Sequence, residues 1–265
     1  MESKDHGIEE LAQFTMQVLR KAGDVALSYY GKGEPGLRFD EALVTEAELG
    51  LIQSFHTQLN ENFPDHSVFE NSRKINDYTH EEKRYMWIHD ALDGVANFQA
   101  GIPMWGMSLS LMENFWPILG RFFMPVTGDC FHARAGSKAY CGDVEITARR
   151  QGDIDDESLL LTSSRFHQHY DSTFPGKIRS MGCTSAHICY VAMGRADAAV
   201  IAHENYQTLA AVSVIIAEAG GKFYTMDGKE FLLNDYFDDQ RIAEYLLVAS
   251  PDICPQVLSY LQRKD

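Results

Sequence analysis

Apolar side chains near the start of the chain recur three or four residues apart. They are Leu11, Phe14, Val18, Leu19, Ala22, Val25, Ala26 and Tyr29. Residues at these intervals share one face of an α-helix, so the pattern predicts an amphipathic helix over residues 8–30. The glycines of Gly31-Lys32-Gly33 are expected to end it. A second helix is predicted for residues 47–60.

Short runs of apolar and β-favouring residues follow these helices. They predict strands at residues 67–70, 85–89, 106–112, 116–123, 130–135 and 139–141. Glu113-Asn114 has the character of a hairpin turn between two of these strands. Several neighbouring strands in succession predict a large, mostly antiparallel sheet.

Helices and strands alternate in the second half of the chain, after an acidic stretch at residues 153–157 that is expected to be a surface connection. Strands are predicted at residues 159–162, 196–201, 222–225 and 245–248, and helices at 184–193, 208–219 and 255–262. Gly220 is expected to end the helix before it. Periodicity alone therefore predicts a mixture of α and β structure.

Composition and charge restrict the class of protein. The chain has 265 residues, 45% of them hydrophobic and 23% charged, which is typical of a folded globular protein. We expect a single domain over residues 1–265 with two sub-lobes, about 1–152 and 153–265. The net charge of −15 argues against direct binding to nucleic acid or to an anionic membrane, because both need clustered Lys and Arg.

Cysteines and the N-terminal residues bear on the compartment. The five cysteines form an odd set without metal-ligand spacing, which is typical of reduced, buried thiols. No apolar run approaches the roughly 18 residues of a membrane span, and residues 1–6 lack the apolar stretch of a signal peptide. We expect a cytoplasmic protein.

Two aspartates follow the predicted strand at residues 85–89. Asp90 and Asp93 stand three apart, and Gly94 comes next. Mg²⁺ prefers oxygen ligands and commonly takes one or two carboxylates together with phosphate oxygens. If a helix opens at residues 94–96, its free N–H groups would face an anion. The segment therefore predicts a place where a metal ion and a phosphate group meet.

The same segment resembles a motif of the inositol monophosphatase family, the Li⁺-sensitive, Mg²⁺-dependent phosphomonoesterases. The family motif is Trp-Ile-x-Asp-Pro-Ile/Leu-Asp-Gly-Thr-x-Asn-Phe. The chain keeps most of it, at Trp87, Ile88, Asp90, Leu92, Asp93, Gly94, Asn97 and Phe98. Further similar segments lie at residues 43–45, which resemble a family strand, and at residues 66–70, 182–186, 189–198 and 218–221.

The resemblance implies a fold, a cofactor and a site. The fold would be a layered α-β-α-β-α sandwich of the inositol monophosphatase and fructose-1,6-bisphosphatase type. It would hold Mg²⁺, act on a small phosphorylated metabolite and form a homodimer. The implied catalytic residues are Glu70, Asp90 and Asp93. The implied metal ligands are Glu70, Asp90, the Leu92 carbonyl and Asp93. The implied phosphate- and substrate-binding residues are Gly94, Val95, Ala96, Cys183 and Thr184.

Several positions depart from the family pattern. Gln207-Thr208 stands where the family has Trp-Asp, so a neutral hydroxyl replaces an anionic metal ligand. Val95 replaces a threonine that helps to position the attacking water, and Ala91 replaces a proline. The family glutamate falls on Asn71 in an ungapped alignment and on Glu70 if one residue is deleted; we prefer Glu70. Glu204, near the altered pair, is a minor candidate for rebuilding a polar contact.

Three hypotheses of function follow. The departures favour a pseudoenzyme-like protein that keeps the anion site and binds Mg²⁺ and a phosphomonoester, with weak or lost hydrolysis. The intact Asp90 and Asp93 favour an active Mg²⁺-dependent phosphatase. A non-catalytic regulatory protein that binds a protein partner is the third.

Overall fold

The computed structural model describes residues 7–34, 36–69, 85–233 and 241–264. The helices are α1 (Ile8–Leu27), α2 (Glu41–Asn62), α3 (Val95–Ala100), α4 (Phe166–His169), α5 (Thr184–Ala192), α6 (Tyr206–Glu218) and α7 (Cys254–Ser259). The strands are β1 (Ser67–Val68), β2 (Tyr85–Asp93), β3 (Gly106–Glu113), β4 (Trp116–Met124), β5 (Asp129–Arg134), β6 (Ala139–Cys141), β7 (Val144–Ile146), β8 (Leu159–Thr162), β9 (Tyr170–Ser172), β10 (Lys177–Arg179), β11 (Ala198–Asn205), β12 (Lys222–Thr225), β13 (Arg241–Ala249) and β14 (Leu261–Arg263).

The first sheet contains β1 to β7 in sequence order. Only β1 and β2 run parallel, and every later pair is antiparallel, as the succession of short strands predicts. Helices α1 and α2 cover one face through an apolar core that includes Leu19, Phe55 and Trp87. The amphipathic pattern of the N-terminal helix therefore describes how this outer layer packs.

Helices α5 and α6 cover the other face of the first sheet and separate it from the second sheet, which has the order β10-β8-β11-β13-β12. Helix α6 lies so close to β4 that a Cβ at Gly120 would fall 2.1 Å from the Ala211 carbonyl oxygen. A third core, with Phe166 and Val257, joins α4 and α7 to the outer face of the second sheet. The layers are α-β-α-β-α, which confirms the expected fold class.

The expectation of a strand at residues 43–45 is wrong, because this segment belongs to α2. Asp40 caps the helix by accepting the Leu43 N–H at 3.0 Å. Val44, Ala47, Leu51 and Phe55 are buried at helical spacing, so the periodicity of the second helix extends further towards the N-terminus than residue 47.

Several boundaries also differ from the predictions. The predicted helix at 255–262 ends at Ser259, and β14 follows it and pairs with β9. The turn between β3 and β4 is Asn114-Phe115, because Glu113 is already paired with Trp116. Strand β11 continues to Asn205, four residues beyond the prediction, and α6 starts at Tyr206 rather than at Thr208. No helix within the described ranges is long and apolar enough to span a bilayer.

Candidate functional site

The end of β2 turns sharply into α3. The pairing of β2 with β3 is irregular between Asp90 and Asp93, so the strand bends where the two carboxylates lie. Gly94 follows in the left-handed region at φ 85°, and a Cβ there would approach the Met104 carbonyl oxygen to 2.8 Å. Only glycine suits this position. The turn thereby brings Asp90, Asp93 and the first turn of α3 together.

Asp93 contacts the start of α5, on the other side of the site. Its Oδ2 accepts the Ser185 N–H at 2.6 Å and its Oδ1 accepts the Thr184 N–H at 3.3 Å. The first N–H groups of a helix have no partner within the helix, and they stabilise a negative charge. Asp93 thus supplies the cap that the side chain of Cys183, the residue before α5, does not provide.

Asp90 lies where burial and a neighbouring negative charge disfavour its ionised form. Burial, and next the negative charge of Asp93, raise the pKa of Asp90 to about 7. A hydrogen bond from the Thr208 side chain offsets part of this rise. The Oδ2 atom of Asp90 is buried without a hydrogen-bond partner among the described residues. No Lys, Arg or His side chain of the described residues forms an ion pair with this carboxyl group.

A third carboxyl group reaches the same place from the end of β11. Glu204 Oε1 accepts the Thr184 hydroxyl at 2.5 Å. Burial raises the pKa of Glu204 to about 8, with further contributions from the charges of Asp93 and Asp90. Sequence reasoning gave Glu204 only a minor part, because the bulge near His203 that sets its direction has no clear sequence signal.

The other predicted site residues fall around this centre. Val95 and Ala96 form the start of α3, as expected, and Cys183 is buried beside Gly94, with its Cβ 3.1 Å from where a Gly94 Cβ would be. Leu92 and Ala91 are buried in β2, and Gln207 precedes Thr208 in α6. Glu70 and Asn71 lie outside the described residues.

Asn97 fixes α3 against the second half of the chain. Its Nδ2 donates to the carbonyl oxygens of Met104 and Met181, both at 2.7 Å. Met181 precedes α5, and its own N–H donates to Nε2 of His187 at 3.0 Å. The asparagine of the sequence motif is therefore a structural link between the two helix starts.

The oxygen atoms of this site meet part of what a divalent cation requires. The unpartnered Oδ2 of Asp90 and the raised pKa values of Asp90 and Glu204 describe a site that lacks positive charge, which a cation would supply. Carboxylate and carbonyl oxygens are also the donors that Mg²⁺ prefers. However, no group of three or more His, Cys, Asp or Glu side chains in the described ranges is arranged to hold a metal ion. The residues thus fit a cation at Asp90 and Asp93, with an incomplete ligand set.

Comparisons with known proteins agree with this geometry. The chain is 25% identical to a histidinol-phosphatase of Chlorobaculum parvum (84% of this chain, 88% of that protein) and 28% identical to an inositol-1-monophosphatase of Caulobacter vibrioides (83% and 87%). The crystal structure of the extragenic suppressor protein suhB from Bartonella henselae superposes with a TM-score of 0.74 at 21% identity, covering 93% of this chain and 96% of that one. The sequence profile of the inositol monophosphatase family matches residues 8–251. The chain belongs to the inositol monophosphatase family.

Proposed function

We propose that this protein binds Mg²⁺ and a small phosphomonoester between the end of β2 and the starts of α3 and α5, and that it hydrolyses the ester slowly or not at all. The observation that carries the proposal is the place of Thr208, whose neutral side chain lies beside Asp90 and lowers its pKa. A neutral side chain occupies the position at which the family pattern has an aspartate. The site is built for an anion and a cation but lacks one anionic ligand.

Asp90, Asp93 and the Leu92 carbonyl are the described groups proposed to hold a magnesium ion, with Glu70 as the further ligand that the resemblance implies. Bound Mg²⁺ supplies Lewis-acid activation of water and neutralises charge on the phosphoryl and leaving oxygens. The phosphate group would face the backbone N–H groups of Gly94, Val95 and Ala96. These donors do not depend on side-chain identity, so the Val95 substitution leaves them in place.

Two features weaken hydrolysis in this proposal. The Thr208 side chain is neutral and contributes no negative charge, so a second cation would be poorly held. Val95 has no hydroxyl to orient the attacking water. Loss of even an outer partner of a metal ligand commonly lowers affinity or activity by about 10- to 100-fold, and losing a direct anionic ligand should cost at least that.

Phosphate release from inositol 1-phosphate and from histidinol phosphate at saturating Mg²⁺ tests the proposal. We expect little turnover by the unmodified chain and a clear gain in the Thr208→Asp, Val95→Thr double variant. Thr57→Asp, an exposed position in α2, controls for added negative charge and should gain nothing. Calorimetry should show that the unmodified chain binds inositol phosphate in the presence of Mg²⁺. Turnover by the unmodified chain as fast as that of the Caulobacter relative would contradict the proposal.

An active phosphatase is the second candidate. The structure brings Asp90 and Asp93 together, and Glu204 adds a third carboxyl group nearby. The same assay separates the two candidates, because an active enzyme would not need the double substitution. From the resemblance we also propose a homodimer, and from the cysteines and the sequence pattern a cytoplasmic location. Sedimentation equilibrium and cell fractionation would test these two proposals.

A further inference from the structure

Arg121 is a buried cation in the middle of β4. Its side chain is only 6% exposed. Nε donates to the Thr15 hydroxyl of α1 at 2.9 Å, while Nη1 contacts Cys130 Sγ at 3.3 Å and Met16 Sδ at 3.7 Å. Thiol and thioether sulfurs are weak acceptors, so only one of these three bonds is to a good acceptor.

No carboxylate within the described ranges forms an ion pair with Arg121. Nη2 has no acceptor in that part of the chain either, and it is not among the fully buried polar atoms that lack a partner, so it remains accessible to solvent. A largely buried charge without a counter-ion is unfavourable, and the planar guanidinium group is well suited to bind phosphate or carboxylate groups. Arg121 is therefore available to bind an anion, because no acidic residue of the described ranges forms an ion pair with it.

Arg121 lines a cavity of about 150 Å³ between the start of α1 and strands β4 to β6. Arg134, Lys138 and His132 line the same cavity. Arg121 pairs with His132 across β4 and β5, and His132 pairs with Tyr140 across β5 and β6, so the three side chains share one face of the sheet. Three cations, a histidine and one acidic residue, Glu9, thus line one small cavity in a chain of net charge −15.

The lowered pKa of His132 reflects in part the positive charges around this cavity. Its Nε2 lies 3.0 Å from the Gly142 carbonyl oxygen, and its ring stacks on Tyr140. Burial, and then the charges of Arg121 and Arg134, lower the pKa of His132, although the Gly142 carbonyl and Asp143 oppose this. The guanidinium groups are therefore close enough to destabilise another positive charge.

The other two cations of the cavity, Arg134 and Lys138, form ion pairs in which a bound anion can replace the acidic side chain. Arg134 pairs with Glu9 at 2.7 Å and Lys138 pairs with Glu145, and both pairs are exposed. Exposed ion pairs contribute little stability and are screened by salt, so a bound anion can replace Glu9 or Glu145 at small cost. The buried Arg121 has no acidic partner among the described residues, and its guanidinium group would donate hydrogen bonds to the anion from a fixed position.

We propose that this cavity, lined by Arg121, His132, Arg134 and Lys138, is a binding site for a phosphate group, either as inorganic phosphate or as the phosphate of a small metabolite. Arginine forks match phosphate oxygens in geometry and charge. The cavity is small compared with the roughly 300–1,000 Å³ of typical ligand pockets, so it suits a compact oxyanion. The net charge of −15 disfavours a polyanion such as nucleic acid.

This site is separate from the one at Asp90. The paired residues His89, Leu109 and Arg121 lie in one row across β2, β3 and β4, so their side chains share a face of the sheet. Asp90 follows His89 and therefore projects from the opposite face. Accordingly, Arg121 contacts α1 whereas Asp90 contacts α6. The inference does not rest on the proposed function.

Equilibrium dialysis with labelled inorganic phosphate, in EDTA and at constant ionic strength, tests the proposal. The Arg134→Ala, Lys138→Ala double variant removes two exposed cations and should fold normally. The matched control, Lys177→Ala with Lys222→Ala, removes two exposed cations of other ion pairs. Arg121→Met adds a third variant, whose folding is checked by circular dichroism.

We expect the Arg134, Lys138 variant to bind phosphate at least about tenfold more weakly, since charge-assisted hydrogen bonds to phosphate are lost, and the control to bind as the unmodified chain does. Crystals soaked in arsenate should show anomalous density beside Arg121. The proposal is overturned if phosphate does not bind saturably, if the double variant binds as tightly as the control, or if arsenate is found only beside α3.

Discussion

The Ser185 N–H donates a hydrogen bond to Oδ2 of Asp93 at 2.6 Å, joining the end of β2 to the start of α5. These two residues are 92 positions apart in the sequence. A carboxylate of the sequence motif is therefore also a helix cap, and the helix belongs to the other half of the chain. The same group holds the two halves together and contributes charge to the candidate metal site.

Replacing Asp93 by asparagine should destabilise the fold even without a metal ion. An amide group offers one acceptor oxygen instead of two, and it removes the negative charge that the helix start stabilises. We expect a loss of about 1–3 kcal/mol in the free energy of unfolding, measured in urea with EDTA at about pH 5.5, where Asp90 and Glu204 are protonated and do not repel Asp93. Asp171→Asn, at an exposed ion pair with Lys264, should change this free energy by less than about 0.5 kcal/mol. Equal effects of the two substitutions would show that the cap is unimportant.

Gly94 and Gly128 allow the steric and conformational costs of alanine to be separated. Both glycines have positive φ, 85° and 78°, but only Gly94 has close neighbours, and a Cβ at Gly128 would meet nothing within 4 Å. Gly128→Ala should cost about 1 kcal/mol for its backbone conformation alone. Gly94→Ala should cost clearly more because of the contact with the Met104 carbonyl. Urea unfolding measures both, and a similar cost at the two positions would argue against a tightly packed turn.

His187 should make stability depend on pH. Burial lowers its pKa from 6.5 to about 4, and its Nε2 accepts the Met181 N–H, which requires the neutral ring. The unfolded chain binds this proton more readily, so the contribution is complete above pH 6.5 and is lost as the pH falls towards 4. The shift corresponds to about 3 kcal/mol. His187→Gln keeps an acceptor but does not titrate.

The free energy of unfolding, measured from pH 7 to pH 4, should therefore fall less steeply in His187→Gln than in the unmodified chain. Other buried groups, such as His89, titrate in both proteins and cancel in the comparison. Parallel curves for the two proteins would mean that His187 is not held neutral in the folded state.

The strand and the turn that carry Asp90 and Asp93 could be predicted from the sequence because their determinants are local. The buried strand before Asp90, the glycine after Asp93 and the small residues that follow act within about ten positions, and β2, Gly94 and α3 are found where they were expected. The order of the first sheet was also predictable in outline, since most of its strands are neighbours in sequence.

The predictions fail where contacts between residues far apart in the sequence determine the structure. The segment at residues 43–45 is helical because Asp40 caps α2 and because Val44 faces the core, although its resemblance favoured a strand. Glu204 reaches the site only through the irregular pairing of β11 with β13. Nothing in the sequence singles out Arg121, and only the folded chain shows that no acidic side chain of the described residues forms an ion pair with it.

With Thr208 in place of a carboxylate, the proposed site should hold one divalent cation firmly but not a full set of metal ions. Titration of the metal-free protein with Mn²⁺, counted by electron paramagnetic resonance, tests this most directly. We expect no more than one tightly bound Mn²⁺ ion in the unmodified chain and one additional ion in the Thr208→Asp variant. Two or three tightly bound ions in the unmodified chain would contradict it.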